Sequence, residues 1–227
     1  SMIIMSFLVG SCKYSIGSIF SFHAIKHIAT GEGGCVTTND DRVAKKIIDT
    51  RNHGMIREHE RLKHIPEKNA SWYYEMNEIG YNYRITDFQC ALGISQLAKL
   101  EKFVKKRNYL ANIYNNYFQE VDIFQIPKVQ KKSKHAFHIY PLLINFEKIN
   151  LTKNILFEKM LNYNIKLQVH YIPIHLQPYY KQYYGFKKGD FPIAEKFYNR
   201  EVSLPIYFSL KDKEIKTVIK YLKKFCK

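Results

Sequence analysis

Along "GSIFSF", Ile19 and Ser21 alternate with Phe20 and Phe22, a period of two that predicts a strand. The next apolar run, "GGCVTTND", predicts a second short strand ending in a turn. Asp40 or Asp41 then stands where a carboxylate caps the helix "RVAKKIIDTRNHG", which Gly54 stops. From Met55 to Gly80 the chain is polar, aromatic and irregular, and a loop of that length is usually functional or mobile. Helical spacing returns with Ile85, Phe88, Leu92, Leu97, Leu100, Phe103 and Val104. It predicts two consecutive helices, or one long kinked helix, capped by Thr86 or Asp87 and weakest at Gly93.

Beyond Pro127 the pattern becomes an alternating unit. A strand "HAFHIYPLLIN" leads to a helix "TKNILFEKMLNYN" capped by Thr152, then to a strand around "IKLQVHYIPI". A tyrosine-rich segment, a helix "FPIAEKFYNREV", a short strand "SLPIY" and a terminal helix "KDKEIKTVIKYLKKF" complete it. Strands alternating with helices predict an α/β layer structure. The boundary near Val121–Pro127 divides the chain into 1–121 and 122–227. The apolar start, "MIIMSFLVGSC", lacks the positive flank of an export signal and is too short to span a bilayer, so it reads as a buried strand.

Composition narrows the function classes. With 46% apolar and 15% aromatic residues in 227, the chain has material for a core and is not a disordered segment. Its 36 Lys and Arg outnumber 20 Asp and Glu, a formal charge of +16. The basic residues are scattered as pairs such as Lys45–Lys46 and Lys223–Lys224, without a basic stripe interleaved with aromatics. That argues against nucleic acid and membrane as partners and leaves a phosphorylated small molecule. Four separated cysteines, Cys12, Cys35, Cys90 and Cys226, suggest neither a zinc site nor a disulfide framework, and fit a reducing cytoplasm.

Lys26 stands out in "SFHAIKHIATGEGG", between an apolar run and three clustered glycines. An amine that acts as a nucleophile needs its ammonium form disfavoured, by apolar surroundings or neighbouring cations. Ile25 and Ile28 suit the first route, His23 and His27 the second. Ser21 can hold an anionic group beside the amine, and the glycines let backbone approach closely. The pattern suits a lysine that condenses with an aldehyde next to a phosphate anchor; a surface lysine beside a glycine turn is the plain alternative.

"FSFHAIK" followed by "GEGG" resembles the cofactor-lysine segment of the pyridoxal-phosphate-dependent DegT/DnrJ/EryC1/StrS sugar aminotransferases. The resemblance continues through "RNHGM", "GYNYRITDFQCALGISQL", "HYIPIHLQPYY", "DFPIAEKFY" and "SLPIY", covering the chain from about Gly10 onward. It implies a type I transferase fold of the α/β class, with part of the large domain, a long interface helix and the whole small C-terminal domain. It implies pyridoxal 5'-phosphate as cofactor, with Lys26 as catalytic lysine and Ser21 on the phosphate. Asn82 would reach the phosphate of a neighbouring subunit's cofactor in a homodimer with a shared site, flanked by Tyr81 and Arg84. His23, His170, Tyr171 and His175 would contact the nucleotide sugar. The spacing of His170 and His175, interrupted by Pro173, is a poor metal signal.

Within the family, "FSFHAIK" combined with "VHYIPIHLQPYY" is similar to members that aminate C4 of a UDP-linked 4-keto-6-deoxy-N-acetylhexosamine with glutamate, in pseudaminic-acid-type synthesis. Perosamine- or bacillosamine-type aminotransferases, and a non-catalytic dimerisation or binding module, are the alternatives. In proteins of this fold an aspartate that protonates the pyridine nitrogen precedes the lysine, and no Asp or Glu lies before Lys26 here. The resemblance therefore implies an N-terminally truncated enzyme that is inactive alone.

Overall fold

Asp40 opens the first helix: its carboxylate accepts the backbone N–H groups of Arg42 and Val43, two donors with no partner inside the helix. The computed structural model describes residues 3–4, 7–64, 67 and 70–226. By packing, the chain divides into two compact units, Ser1–Leu100 and Glu101–Lys227.

In the first unit, β1 (Ile3–Ile4) pairs antiparallel with β2 (Phe7–Leu8), and β3 (Ser18–Ser21) with β4 (Gly34–Thr37), Ser21 opposite Gly34. Then come α1 (Asp41–Thr50), the paired β5 (Met55–Ile56) and β6 (Glu75–Met76), and α2 (Asp87–Leu97). The start of the chain departs from the buried strand that its apolar run predicts. It forms a hairpin of two-residue strands, and Leu8 is exposed; Met2, Met5 and Ser6 lie outside the described residues. Among the described residues of the segment from Met55 to Gly80, the two-residue strands β5 and β6 pair. Glu75 organises the segment by accepting from the backbone N–H of Lys63 and of His64 and from the Tyr73 hydroxyl.

Thr86 caps α2 in a reciprocal box, its hydroxyl accepting from the Gln89 N–H while the Gln89 side chain accepts from the Thr86 N–H. The expected weak point moves. The helix runs through Gly93 and ends at Leu97, and α3 (Leu100–Phe118) begins after the turn at Ala98 and Lys99. Gly93 serves packing instead: a Cβ there would lie 3.2 Å from Thr30 Cγ2.

The second unit is built on a core that α3 shares. Its buried face, Val104, Arg107, Leu110, Ala111, Tyr114 and Phe118, packs within this unit, which begins at Glu101. A three-stranded antiparallel sheet has β9 (Tyr140–Ile144) between β7 (Phe124–Gln125) and β10 (Glu201–Leu204). The two-residue β8 (Ser133–Lys134), α4 (Lys153–Leu161), α5 (Pro178–Tyr184), α6 (Pro192–Arg200) and α7 (Asp212–Phe225) complete the order. Tyr140, Leu142 and Ile144 alternate into the core with Leu156 and Met160 of α4 and Ile215, Val218, Ile219 and Leu222 of α7. All four residues of β10 are buried, with Val202 and Leu204 on the core face and Glu201 and Ser203 on the other.

Two expected strands shrink. β9 starts at Tyr140 because Phe137, with φ 46°, turns the chain before it. Around "IKLQVHYIPI" one bridge forms among the described residues, Gln168 with Ser203. The His170 N–H goes to the Glu201 carboxylate, Pro173 has no N–H, and a single turn, Ile174–Leu176, follows.

Candidate active site

The strand pair β3–β4 holds the loop 22–33 that carries Lys26. Its base is closed by Phe22 N–H donating to Gly33 O (2.8 Å), Thr30 N–H to Phe22 O (2.8 Å) and Thr30 Oγ1 to Glu32 O (2.7 Å). Two glycines are obligatory there. A Cβ on Gly34 would lie 2.6 Å from Phe20 O, and Gly33 sits at φ +140° with its Cβ position 2.9 Å from Thr30 Oγ1. Lys26 is half-buried in a tight turn, its N–H donating to His23 O at 2.8 Å. The exposed Ser21 hydroxyl accepts from the His23 N–H at 3.3 Å, which leaves its own hydrogen to donate. His23 faces the Glu32 carboxylate at 3.7 Å, a neighbour that the apolar and cationic surroundings read from the sequence do not include.

The same loop is tied to the start of α2. Gln89 Nε2 donates to Glu32 O at 2.8 Å, and Ile85 and Gly93 face Gly33 and Thr30. Thr30, Glu32 and Gln89 are the residues that sequence reasoning missed. The visible signal was Gln89 three residues after Thr86, where a side chain completes a cap.

"RNHGM" and "GYNYR" form one structural piece. Tyr81 N–H donates to Thr50 O (2.6 Å), Tyr83 N–H to Arg51 O (2.8 Å), and His53 N–H to Tyr81 O (2.9 Å), with Asn52 bridged to Asn82. Tyr81 and Tyr83 stack at 4.8 Å with their planes 8° apart. Arg84 is not a loose surface charge: its Nη1 donates to Asn52 Oδ1 at 2.8 Å. Asn82 is exposed beside it.

In the second unit His170 is half-buried, with Nδ1 2.7 Å from Ser203 Oγ, and the exposed ring of Tyr171 stands edge-on to it at 4.6 Å. His175 is buried. Its Nε2 lies 2.9 Å from Glu195 Oε1, which also accepts from the Gly189 N–H. The His175 hydrogen bond holds the Glu195 carboxyl below its usual range, helped by that N–H. A ring so enclosed is a strut of the small unit. Among the described residues no group of three or more His, Cys, Asp or Glu side chains is placed to hold a metal ion, and no helix is long and apolar enough to cross a membrane.

Residues 9–223 match the DegT/DnrJ/EryC1/StrS aminotransferase family along their whole length. The chain belongs to that family. It is 44% identical over 205 residues to an uncharacterised protein of Methanocaldococcus jannaschii, covering 90% of this chain and 52% of that protein. It is 37% identical over 201 residues to a Campylobacter jejuni UDP-4-amino-4,6-dideoxy-N-acetyl-beta-L-altrosamine transaminase, covering 88% of this chain and 50% of the relative. Among solved structures, Helicobacter pylori PseC, an aminotransferase of pseudoaminic acid biosynthesis, superposes with a TM-score of 0.82 at 32% identity, over 94% of this chain and 54% of PseC. The fold is the type I α/β fold of these pyridoxal-phosphate-dependent sugar aminotransferases. The chain spans about half the length of the relatives it matches.

Proposed function

We propose that this chain carries the cofactor-lysine part of a nucleotide-sugar aminotransferase. The complete enzyme transfers an amino group from glutamate to C4 of a UDP-linked 4-keto-6-deoxy-N-acetylhexosamine, in pseudaminic-acid-type synthesis. The observation that carries this reading is the setting of Lys26, half-buried on a loop closed at its base by Phe22, Thr30 and Gly33 and braced by Gln89. Support for the sugar comes from the two relatives named for the altrosamine and pseudoaminic acid reactions.

The residues present suit pyridoxal phosphate. Ser21 offers a hydroxyl hydrogen to a phosphate, the exposed Asn82 amide offers further neutral donors, and Lys26 offers the amine. When bound, the cofactor supplies the electron sink that stabilises negative charge next to nitrogen. Lys26 Nζ then moves a proton at the reacting carbon. Asn82 serves the cofactor of a second subunit, with Tyr81 and Arg84 framing the entrance and His23 as a sugar contact; in the second unit, taken by itself, His170 and Tyr171 are sugar contacts in this reading. His175 acts through packing instead of contact. The division at 121/122 marks the end of the large domain in this reading, and the cytoplasm is its compartment.

A second reading, a pairing module without turnover, is favoured by α2. None of its side chains is buried, and Phe88 and Ile94 are largely exposed, so this helix has a face suited to a partner subunit. The two readings separate in one assay. The chain is mixed with the N-terminal half of a family member and supplied with pyridoxal phosphate, glutamate and UDP-linked 4-keto sugars. An aminated C4 product that disappears with Lys26→Ala supports the enzyme reading; stable pairing without product supports the module. Since the chain spans about half the length of the relatives it matches, weak cofactor binding and negligible turnover are the expected result without the complement. Tight binding and full transamination without the complement would overturn that part.

A further inference from the structure

The face of β10 turned away from the core holds two buried polar side chains, Glu201 at 0% and Ser203 at 4% exposure, and both point toward His170. Buried polar groups need partners, and here the partners form a directed chain. Glu201 Oε2 accepts the His170 backbone N–H at 2.9 Å, and Glu201 Oε1 accepts the Ser203 hydroxyl hydrogen. The Glu201 charge is also felt at Lys153, where burial lowers the pKa of the amine and the Glu201 carboxylate acts in the opposite direction.

A carboxylate only accepts, so the single Ser203 hydrogen is committed to Glu201. Toward His170 the Ser203 oxygen can therefore only accept, and the atom that faces it at 2.7 Å is Nδ1. We propose that Glu201 and Ser203 hold neutral His170 in the Nδ1–H tautomer, leaving Nε2 as a bare hydrogen-bond acceptor. Nε2 has no hydrogen-bond partner among the described residues. Resting on the reading of His170 as a sugar contact, the ligand group it recognises is a donor, a sugar hydroxyl or amide N–H, and not a carbonyl or phosphate oxygen. Glu201 and Ser203 are positioning residues, acting through the imidazole.

Long-range 15N spectra of the histidine-labelled chain in alkaline buffer test this. The His170 signals, assigned by their loss in His170→Gln, should show a protonated Nδ1 and an unprotonated Nε2. Ser203→Ala should release the ring to the opposite tautomer, and Ser203→Thr, which keeps a hydroxyl, should restore the first. A protonated Nε2 in the unaltered chain would overturn the proposal without reference to any variant's folding. Titration with UDP-N-acetylglucosamine separates the two layers. Movement of the Nε2 resonance supports the donor contact; a fixed Nε2 beside bound ligand, with the tautomer as stated, removes His170 from the sugar site while the lock stands.

Discussion

Gly80 lies so close to Thr50 that a Cβ on the glycine would sit 2.7 Å from the threonine carbonyl oxygen, with the Gly54 amide closer still. This approach lets Tyr81 and Tyr83 hydrogen-bond to Thr50 and Arg51, and so presents Asn82 and Arg84 together. Gly80→Ala has nowhere to put its methyl except against backbone. It should cost about 1–3 kcal/mol through overpacking. Denaturant unfolding measures the cost, and faster proteolysis between residues 51 and 84 locates it.

Glu75 makes the loop before that piece sensitive to acid. Its carboxyl is held below the usual range first by the Lys63 N–H, then by the His64 N–H and the Tyr73 hydroxyl, against the opposing effect of burial. A folded-state pKa below the unfolded one, ~4.3 for glutamate, contributes stability that is present above the unfolded value. That contribution is lost as pH falls through the folded value. Thermal melts across the acid range should show unaltered protein losing its advantage over Glu75→Gln as pH drops through that window. A constant gap at every pH would contradict the assignment.

Gln89 couples the α2 cap to the lysine loop, accepting from Thr86 and donating to Glu32 O. Gln89→Ala removes these side-chain bonds, each worth about 0.5–1.5 kcal/mol. Hydrogen exchange should quicken at the Thr86 amide and in loop 22–33, while amides of the second unit keep their protection.

Arg107 fastens the small unit from inside. Its guanidinium Nη1 is shared among the carbonyls of Phe137 (3.0 Å), His138 (2.9 Å) and Ile206 (2.9 Å). Arg107→Met keeps much of the stem but leaves buried acceptors unpaired, at about 1–3 kcal/mol for each one that water cannot reach. A loss well below 1 kcal/mol on chemical denaturation would show that the loop carrying Phe137 rearranges freely.

Local chemistry was legible in the chain, and distant chemistry was not. Asp40, Thr86 and Thr152 cap their helices because a cap is decided within three residues. Gly93 misleads because Thr30 is the neighbour that requires it, far back in the chain. The period around "IKLQVHYIPI" suits a strand, yet the His170 N–H is taken by Glu201, whose approach no pattern of apolar residues records. Of the candidate site, the glycines that close the loop carrying Lys26 were readable from a short motif. The burial of His175 against Glu195 and the tie of Arg84 to Asn52 depend on contacts between separate motifs.

The amine of Lys26 is the point on which the functional reading rests, and chemical trapping tests it directly. The chain, paired with the N-terminal half of a family member, is treated with pyridoxal phosphate and then borohydride, and the labelled peptide is mapped. The expected result is a single reduced adduct on the peptide containing Lys26, absent from Lys26→Ala. An adduct spread over other lysines, or none while the cofactor is bound, would contradict it.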